Sequence, residues 1–161
     1  MMTMRVFLDT EFSSNFGDGD LISVGLATED GREFYAELSD GWCVEDCTSF
    51  VRSAVLPLLD HNPSTTMKTN DAADALAAWL DGLGDVEIVF DACDDEQLIK
   101  RLLDERVENL SISWRYLSWS SGADALDYDR RIEELFENEP RRHHALVDAR
   151  VLRDAVMGFE S

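Results

Sequence analysis

An α/β sandwich is the fold this sequence predicts, on three observations. The first hundred residues open with three strand-like runs joined by short polar connections, a further short apolar run sits between helical segments, and the rest carries helical periodicity. VFLDTEF (6–12) alternates and is rich in β-branched and aromatic residues, so it reads as a strand with Asp9 and Glu11 on one face. After the loop SSNFGDGD comes LISVGLAT (21–28), then the turn EDGR, then EFYAEL (33–38). An Asp-Gly pair between two strand-like runs signals a hairpin, so the first three strands are expected to form an antiparallel meander.

CTSFVRSAVLPLL (47–59) repeats apolar residues at Phe50, Val51, Ala54, Val55 and Leu58 and predicts a helix that Pro57 ends or kinks. NPSTTMKTN (62–70) reads as a loop leading through a capping Asn70 into the alanine-rich helix DAADALAAWLDGLG. VEIVFDA suits a buried strand, and DDEQLIKRLLDER (94–106) an amphipathic helix with acids in its first turn. NLSISWRYLSWSSG (109–122) is compatible with either strand or irregular loop. ADALDYDRRIEELFENE (123–139) predicts a helix, Pro140 interrupts, and HHALVDARVLRDAVMGFE (143–160) predicts the last one. No repeat or linker divides the chain, so residues 1–161 are expected to form a single domain.

Composition narrows the function. The apolar runs are cut well before the roughly 18 residues a membrane span requires, and the opening MMTMRVFLDTEF lacks the pattern of a signal peptide. A cytoplasmic protein is expected. Cys43, Cys47 and Cys93 include no CxxC pair and fit reduced thiols. The formal net charge is -20, which opposes tight binding to long duplex nucleic acid. Residues 1–99 carry net -17 and residues 100–161 net -3, so Arg130, Arg131, Arg141, Arg142, Arg150 and Arg153 could form a local anion-binding rim or a solvated mixed-charge face.

Three acidic places carry the chemistry: Asp9 with Glu11 on a strand, VFDACDDEQLI at a strand-to-helix junction, and HHALVDA at the last helix. Two carboxylates on one strand face repel unless a cation or proton lies between them. Taken together and in this order, the three segments resemble the motifs of the DEDDh 3'-to-5' exonucleases, which include ribonuclease T and oligoribonuclease. FLDTEF resembles the first motif, D-x-E. VFDACDDEQLI overlays the second, AHNAxFDxxFL, and places its aspartate at Asp95 rather than Asp94, because Leu98 and Ile99 then fall where the family has apolar residues. HHALVDA matches the third, H-x-A-x-x-D-A, as His143, Ala145, Asp148 and Ala149. Phe90 and Asp91 stand where the family often has His-Asn. FVRSAVLPLL, with DGREFYAEL before it, is most similar to a compact bacterial exoribonuclease subgroup.

The resemblance implies a ribonuclease H-like fold, a mixed five-stranded sheet flanked by helices, and a homodimer. It implies single-stranded RNA or DNA 3' ends as substrate and two divalent cations, Mg²⁺ or Mn²⁺, held by Asp9, Glu11, Asp95 and Asp148. Hydrolysis of a phosphodiester needs charge neutralisation and an activated water, which two hard cations about 3.5 to 4 Å apart supply from carboxylate ligands. His143 is expected to be the general base. It stands five residues before Asp148, about 140° around a helix, so it is expected at the helix start or in the preceding loop rather than beside Asp148 on one helical face. Adjacent His144 must point elsewhere. Phe12, beside the first motif, is a candidate to stack a terminal base as well as a candidate core residue, and Trp114, Tyr116 and Trp119 share that ambiguity. Two other readings fit the composition: an acidic mimic of nucleic acid, and a metal-dependent phosphoesterase acting on small nucleotides.

Overall fold

A computed structural model describes residues 2–14, 18–117 and 123–160. Its strands are β1 (Met4–Phe12), β2 (Leu21–Thr28), β3 (Glu33–Leu38), β4 (Thr66–Met67), β5 (Val86–Phe90) and β6 (Ile112–Tyr116), and its helices α1 (Thr69–Leu83), α2 (Cys93–Leu103), α3 (Ala123–Phe136) and α4 (Ala145–Glu160). The strands form one mixed sheet in the order β4-β3-β2-β1-β5-β6. Antiparallel pairing joins β1 to β2 and β2 to β3, whereas β4, β5 and β6 each add in parallel. The chain is α/β, with helices on both faces of the sheet, compatible with the ribonuclease H-like fold. The expected five strands are six here, because Thr66 and Met67 inside the expected 62–70 loop pair with Glu37 and Leu38.

Strand alternation decides which side chains meet which helices. Val6 and Leu8 project with Val24, Leu26 and Ile88 toward Leu76 and Leu80 of α1 and Leu98, Ile99 and Leu102 of α2. Phe7 and Val89 project the other way, against Leu152, Ala155 and Val156 of α4 and Tyr128 of α3. Each fully buried leucine of this kind contributes about 1.5 to 3 kcal/mol. On the same rule Asp9 and Glu11 fall on the Phe7 side, facing α4, while Thr10 and Phe12 fall on the α1/α2 side.

The helix ends differ from the sequence expectation in ways that local chemistry explains. α1 starts at Thr69, so Asn70 lies inside it. Asp40 caps it from the β3 side: its carboxylate accepts the Thr69 N–H at 2.7 Å and the Thr69 hydroxyl at 2.6 Å. A side chain from a distant loop leaves no mark in the helix's own sequence. The 47–59 segment is helical from residue 49 but irregular, with a turn of π-helix over Val51–Val55 and a 3-10 turn over Leu56–Leu58 that holds Pro57. α2 stops at Leu103 because Asp104 turns left-handed (φ 52°), and 3-10 turns follow to Asn109. The ambiguous 109–122 segment contains β6, while residues 118–122 lie outside those described. α4 begins at Ala145, with both histidines ahead of it.

Candidate active site

β1 runs on past the end of its parallel neighbour. Pairing with β5 stops at Phe7 opposite Val89, so Asp9 to Phe12 extend over the notch where β5 ends at Phe90. This carboxyl end of the parallel strands is where α/β folds place their ligands. Asp91 follows β5 directly, and the first turn of α2 carries Asp95 into the notch, 1% exposed, where Thr10 donates its hydroxyl proton to Asp95 Oδ1 at 2.5 Å. One ligand atom from each of Asp9, Asp91 and Asp95 falls within 4.8 Å of the others. Asp94, one residue earlier, is half-buried and outside this group.

α4 supplies the second half of the site, and Gly25 decides how near it comes. Gly25 pairs with Asp9 across β1 and β2. A Cβ at this position would lie 2.4 Å from the Leu146 nitrogen and 2.5 Å from the Ala145 carbonyl carbon, so the first turn of α4 rests on bare backbone. Asp148, in that turn, thereby comes beside Glu11: one ligand atom from each of Glu11, His143 and Asp148 lies within 4.8 Å of the others. The five residues of the D-x-E, second-motif aspartate and H-x-A-x-x-D patterns, Asp9, Glu11, Asp95, His143 and Asp148, are brought together.

His143 takes a left-handed backbone conformation, φ 80°, which for a residue with a side chain costs about 1 to 2 kcal/mol. Its N–H donates to both carboxylate oxygens of Asp148 at 3.1 Å, which compensates that strain and aims the ring at Glu11. Phe50, 44% exposed, packs edge-on against the ring with centroids 5.0 Å apart. His144 turns the opposite way, as two adjacent residues must. It is buried, stacks on Tyr35 at 4.6 Å and reaches Asp60 Oδ2 through Nε2 at 3.3 Å. Arg141 also binds Asp60, and the buried Glu37 accepts N–H bonds from Asp60 and His61 at 2.6 and 3.0 Å. Ligand atoms of Glu37, Asp60 and His144 are also close, but these bonds already occupy both Glu37 oxygens.

Electrostatics around the cluster run one way. Burial pushes Asp9 well up from the usual carboxylate range, and Glu11, Asp148, Asp95 and Asp91 push it further. Glu11 is pushed up to about 9 by burial and then by Asp148 and Asp95, partly offset by its hydrogen bond to Asp9. Burial raises Asp95 to about 8 against the Thr10 bond, and Asp148 to about 7 against the His143 N–H and Arg142. Asp91 is raised by burial of its carboxyl too. His143 is held below its ordinary value by burial and by Arg142, which leaves the ring neutral and able to accept a proton at pH 7.

A divalent cation fits this donor set. Asp9 Oδ2 and Asp95 Oδ2 are enclosed yet have no hydrogen-bond partner, a costly state for carboxylate oxygen that a hard cation relieves. Asp9, Glu11, Asp95 and Asp148 could hold such ions, and Asp91, which the motif overlay assigned no role, stands within reach. The signal that could have found Asp91 was its place directly after the β5 strand. A cleft of about 170 Å³ opens on the cluster, lined by Asp9, Asp91, Phe136, Arg142, His143 and Asp148 among others.

The aromatic candidates are dispersed. Phe12 is half-buried against the α1/α2-side core. Trp114 packs partly into that core with Lys100 over its ring at 5.1 Å, Tyr116 is half-exposed and stacked on Phe90, and Trp119 lies outside the described residues. Among the described C-terminal arginines, Arg130, Arg141, Arg142, Arg150 and Arg153 each pair with an acid and form a mixed-charge face. Among the described residues no helix is long and apolar enough to cross a membrane.

No family model matches the chain. Over 56 residues it is 48% identical to proteins named 3'-5' exoribonuclease from two strains of Mycobacterium tuberculosis; the match takes in 35% of this chain and 33% of each relative. The chain thus spans about a third of the length of the curated relatives it matches.

Proposed function

We propose that this chain is a metal-dependent 3'-to-5' exonuclease that shortens single-stranded RNA or short oligonucleotides to nucleoside 5'-monophosphates. The observation that carries the reading is the meeting of Asp9, Glu11, Asp95, Asp148 and His143 at one notch, with enclosed carboxylate oxygens that lack a partner. The partial match to proteins named 3'-5' exoribonuclease supports it independently.

Asp9, Glu11, Asp95 and Asp148 would hold two divalent cations, Mg²⁺ or Mn²⁺, whose chemistry when bound is charge neutralisation at the scissile phosphate and acidification of the attacking water. The chain's own groups do the rest. A ring nitrogen of His143 takes the proton from the water, and the Phe50 ring against it limits its rotation. The Asp148 carboxylate fixes the His143 backbone and so the approach of the base. Phe12, on the Thr10 side of β1, and Phe50 are apolar surfaces on which a terminal base could rest. The homodimer belongs to the same proposal and is tested by sedimentation.

End-labelled RNA and DNA oligomers, single-stranded and duplex, incubated with Mg²⁺ or Mn²⁺ and resolved on a sequencing gel, test the function. The expected result is a ladder shortening from the 3' end with release of 5'-monophosphates, abolished by chelator. Full activity in excess chelator overturns the metal requirement, and cleavage of free nucleotides alone would favour the small-nucleotide phosphoesterase.

A further inference from the structure

The cluster has a charge problem that carboxylates cannot solve. Two divalent cations would be balanced by Asp9, Glu11, Asp95 and Asp148, and Asp91 adds a further acid at the same notch, so a loaded site would carry no net positive charge to draw in a phosphodiester from a distance. The protein around it, at net -20, repels the same polyanion. A cation on the cleft wall would supply that attraction, and among the described residues lining the cleft Arg142 is the one fixed positive charge.

Its setting suits that task. α3 holds the guanidinium with two residues one turn apart: Glu133 accepts from Nη1 and Nη2 at 3.0 Å each, and Phe136 lies beneath it at 4.5 Å. Without that hold the nearest large attraction for Arg142 would be the metal-binding carboxylates themselves. The end-on pairing with Glu133 uses one N–H on each terminal nitrogen. It leaves the Nε–H and an outer Nη–H, a side-on edge whose spacing matches two oxygens of a phosphate. The side chain is 43% exposed and lines the cleft.

We infer that Arg142 is the phosphate anchor of the site: it binds the non-bridging oxygens of a phosphodiester at the 3' end of the substrate strand, with Glu133 and Phe136 as positioning residues. The inference rests on the exonuclease reading and adds to it the group that draws the polyanion into an acidic cleft.

Steady-state kinetics on a single-stranded oligonucleotide at saturating Mn²⁺, over about 50 to about 200 mM salt, tests it. Arg142→Gln should raise KM about 10- to 100-fold with kcat changed no more than about threefold, and should reduce the slope of log KM against log salt by about one phosphate contact. Arg142→Lys should fall between, since it keeps the charge and loses the fork. Glu133→Gln releases the guanidinium without removing it, so its KM should rise less than that of Arg142→Gln and its salt slope should match wild type. Unchanged KM and slope in Arg142→Gln, or an equal rise in KM in Glu133→Gln, would overturn the anchor while leaving the exonuclease reading intact. Absence of any oligonucleotide turnover by the wild-type protein would overturn both.

Discussion

At the scale of single residues, the two histidines separate chemistry from packing. His143→Ala should lower turnover by the roughly 10²- to 10⁴-fold typical of a lost general base, with metal affinity nearly unchanged. His144→Ala should leave turnover close to wild type but lower stability by about 1 to 3 kcal/mol, because it empties a buried place between Tyr35 and Asp60. Kinetics at saturating metal and substrate, paired with thermal melts, distinguish the two; a large turnover loss in His144→Ala alone would reverse the assignment. Asp9→Asn should abolish activity and weaken metal binding. It should also raise the melting temperature of the metal-free protein, since Asp9 is crowded by Glu11, Asp148 and Asp95. Cooperative collapse of the metal-free variant would make Asp9 a structural residue instead. The places of these residues were legible in the sequence because D-x-E on a strand and H-x-A-x-x-D at a helix start resemble known motifs and each constrain direction. Asp91 and Phe50 were not, since their proximity to the cluster depends on how β5 and the irregular helix fold back on it, and Arg142 stood out only as one of six arginines of a possible anion-binding rim.

At the scale of elements, Gly25 is the hinge between sequence and site. Gly25→Ala should destabilise the protein by about 1 to 3 kcal/mol, because the added methyl meets helix backbone that cannot rotate aside. By lifting α4 it should also move Asp148 from Glu11 and reduce activity beyond what the loss of folded protein explains. Melting curves and turnover per folded molecule check this, and wild-type values for both would mean the helix has room to shift. Asp40→Ala, by uncapping α1, should cost about 1 kcal/mol in the same melts and leave turnover alone. Most elements followed from local pattern: the meander from two strand-like runs about an Asp-Gly turn, α4 from its helical periodicity. The two residues of β4 did not, because Thr66 and Met67 have too little length for a pattern and become a strand only by finding the open edge of β3.

At the scale of the whole molecule, the raised carboxyls link pH, metal and stability. Asp148, Asp95 and Glu11 bind protons more tightly in the folded chain, to about 7, 8 and 9, than in the unfolded one, where carboxylates titrate near about 4. The folded state therefore holds more protons between these limits, and stability of the metal-free protein should fall as pH rises from about 4 toward about 9. Mn²⁺ should raise the melting temperature most at the alkaline end and release protons as it binds, measurable by calorimetry in buffers of different ionisation enthalpy. A metal-free melting temperature that climbs from pH 5 to 8 would contradict this account. The place of β1 makes the effect global. It lies between β2 and β5 inside the sheet, and the stretch that carries its acids, though past the end of β5, stays paired to β2 from Asp9 to Phe12. For hydrogen exchange this means the amide protons of β1 that bond to its neighbours are released only when the whole sheet opens, and each increment of stability that a cation adds should appear there as an equal slowing of exchange.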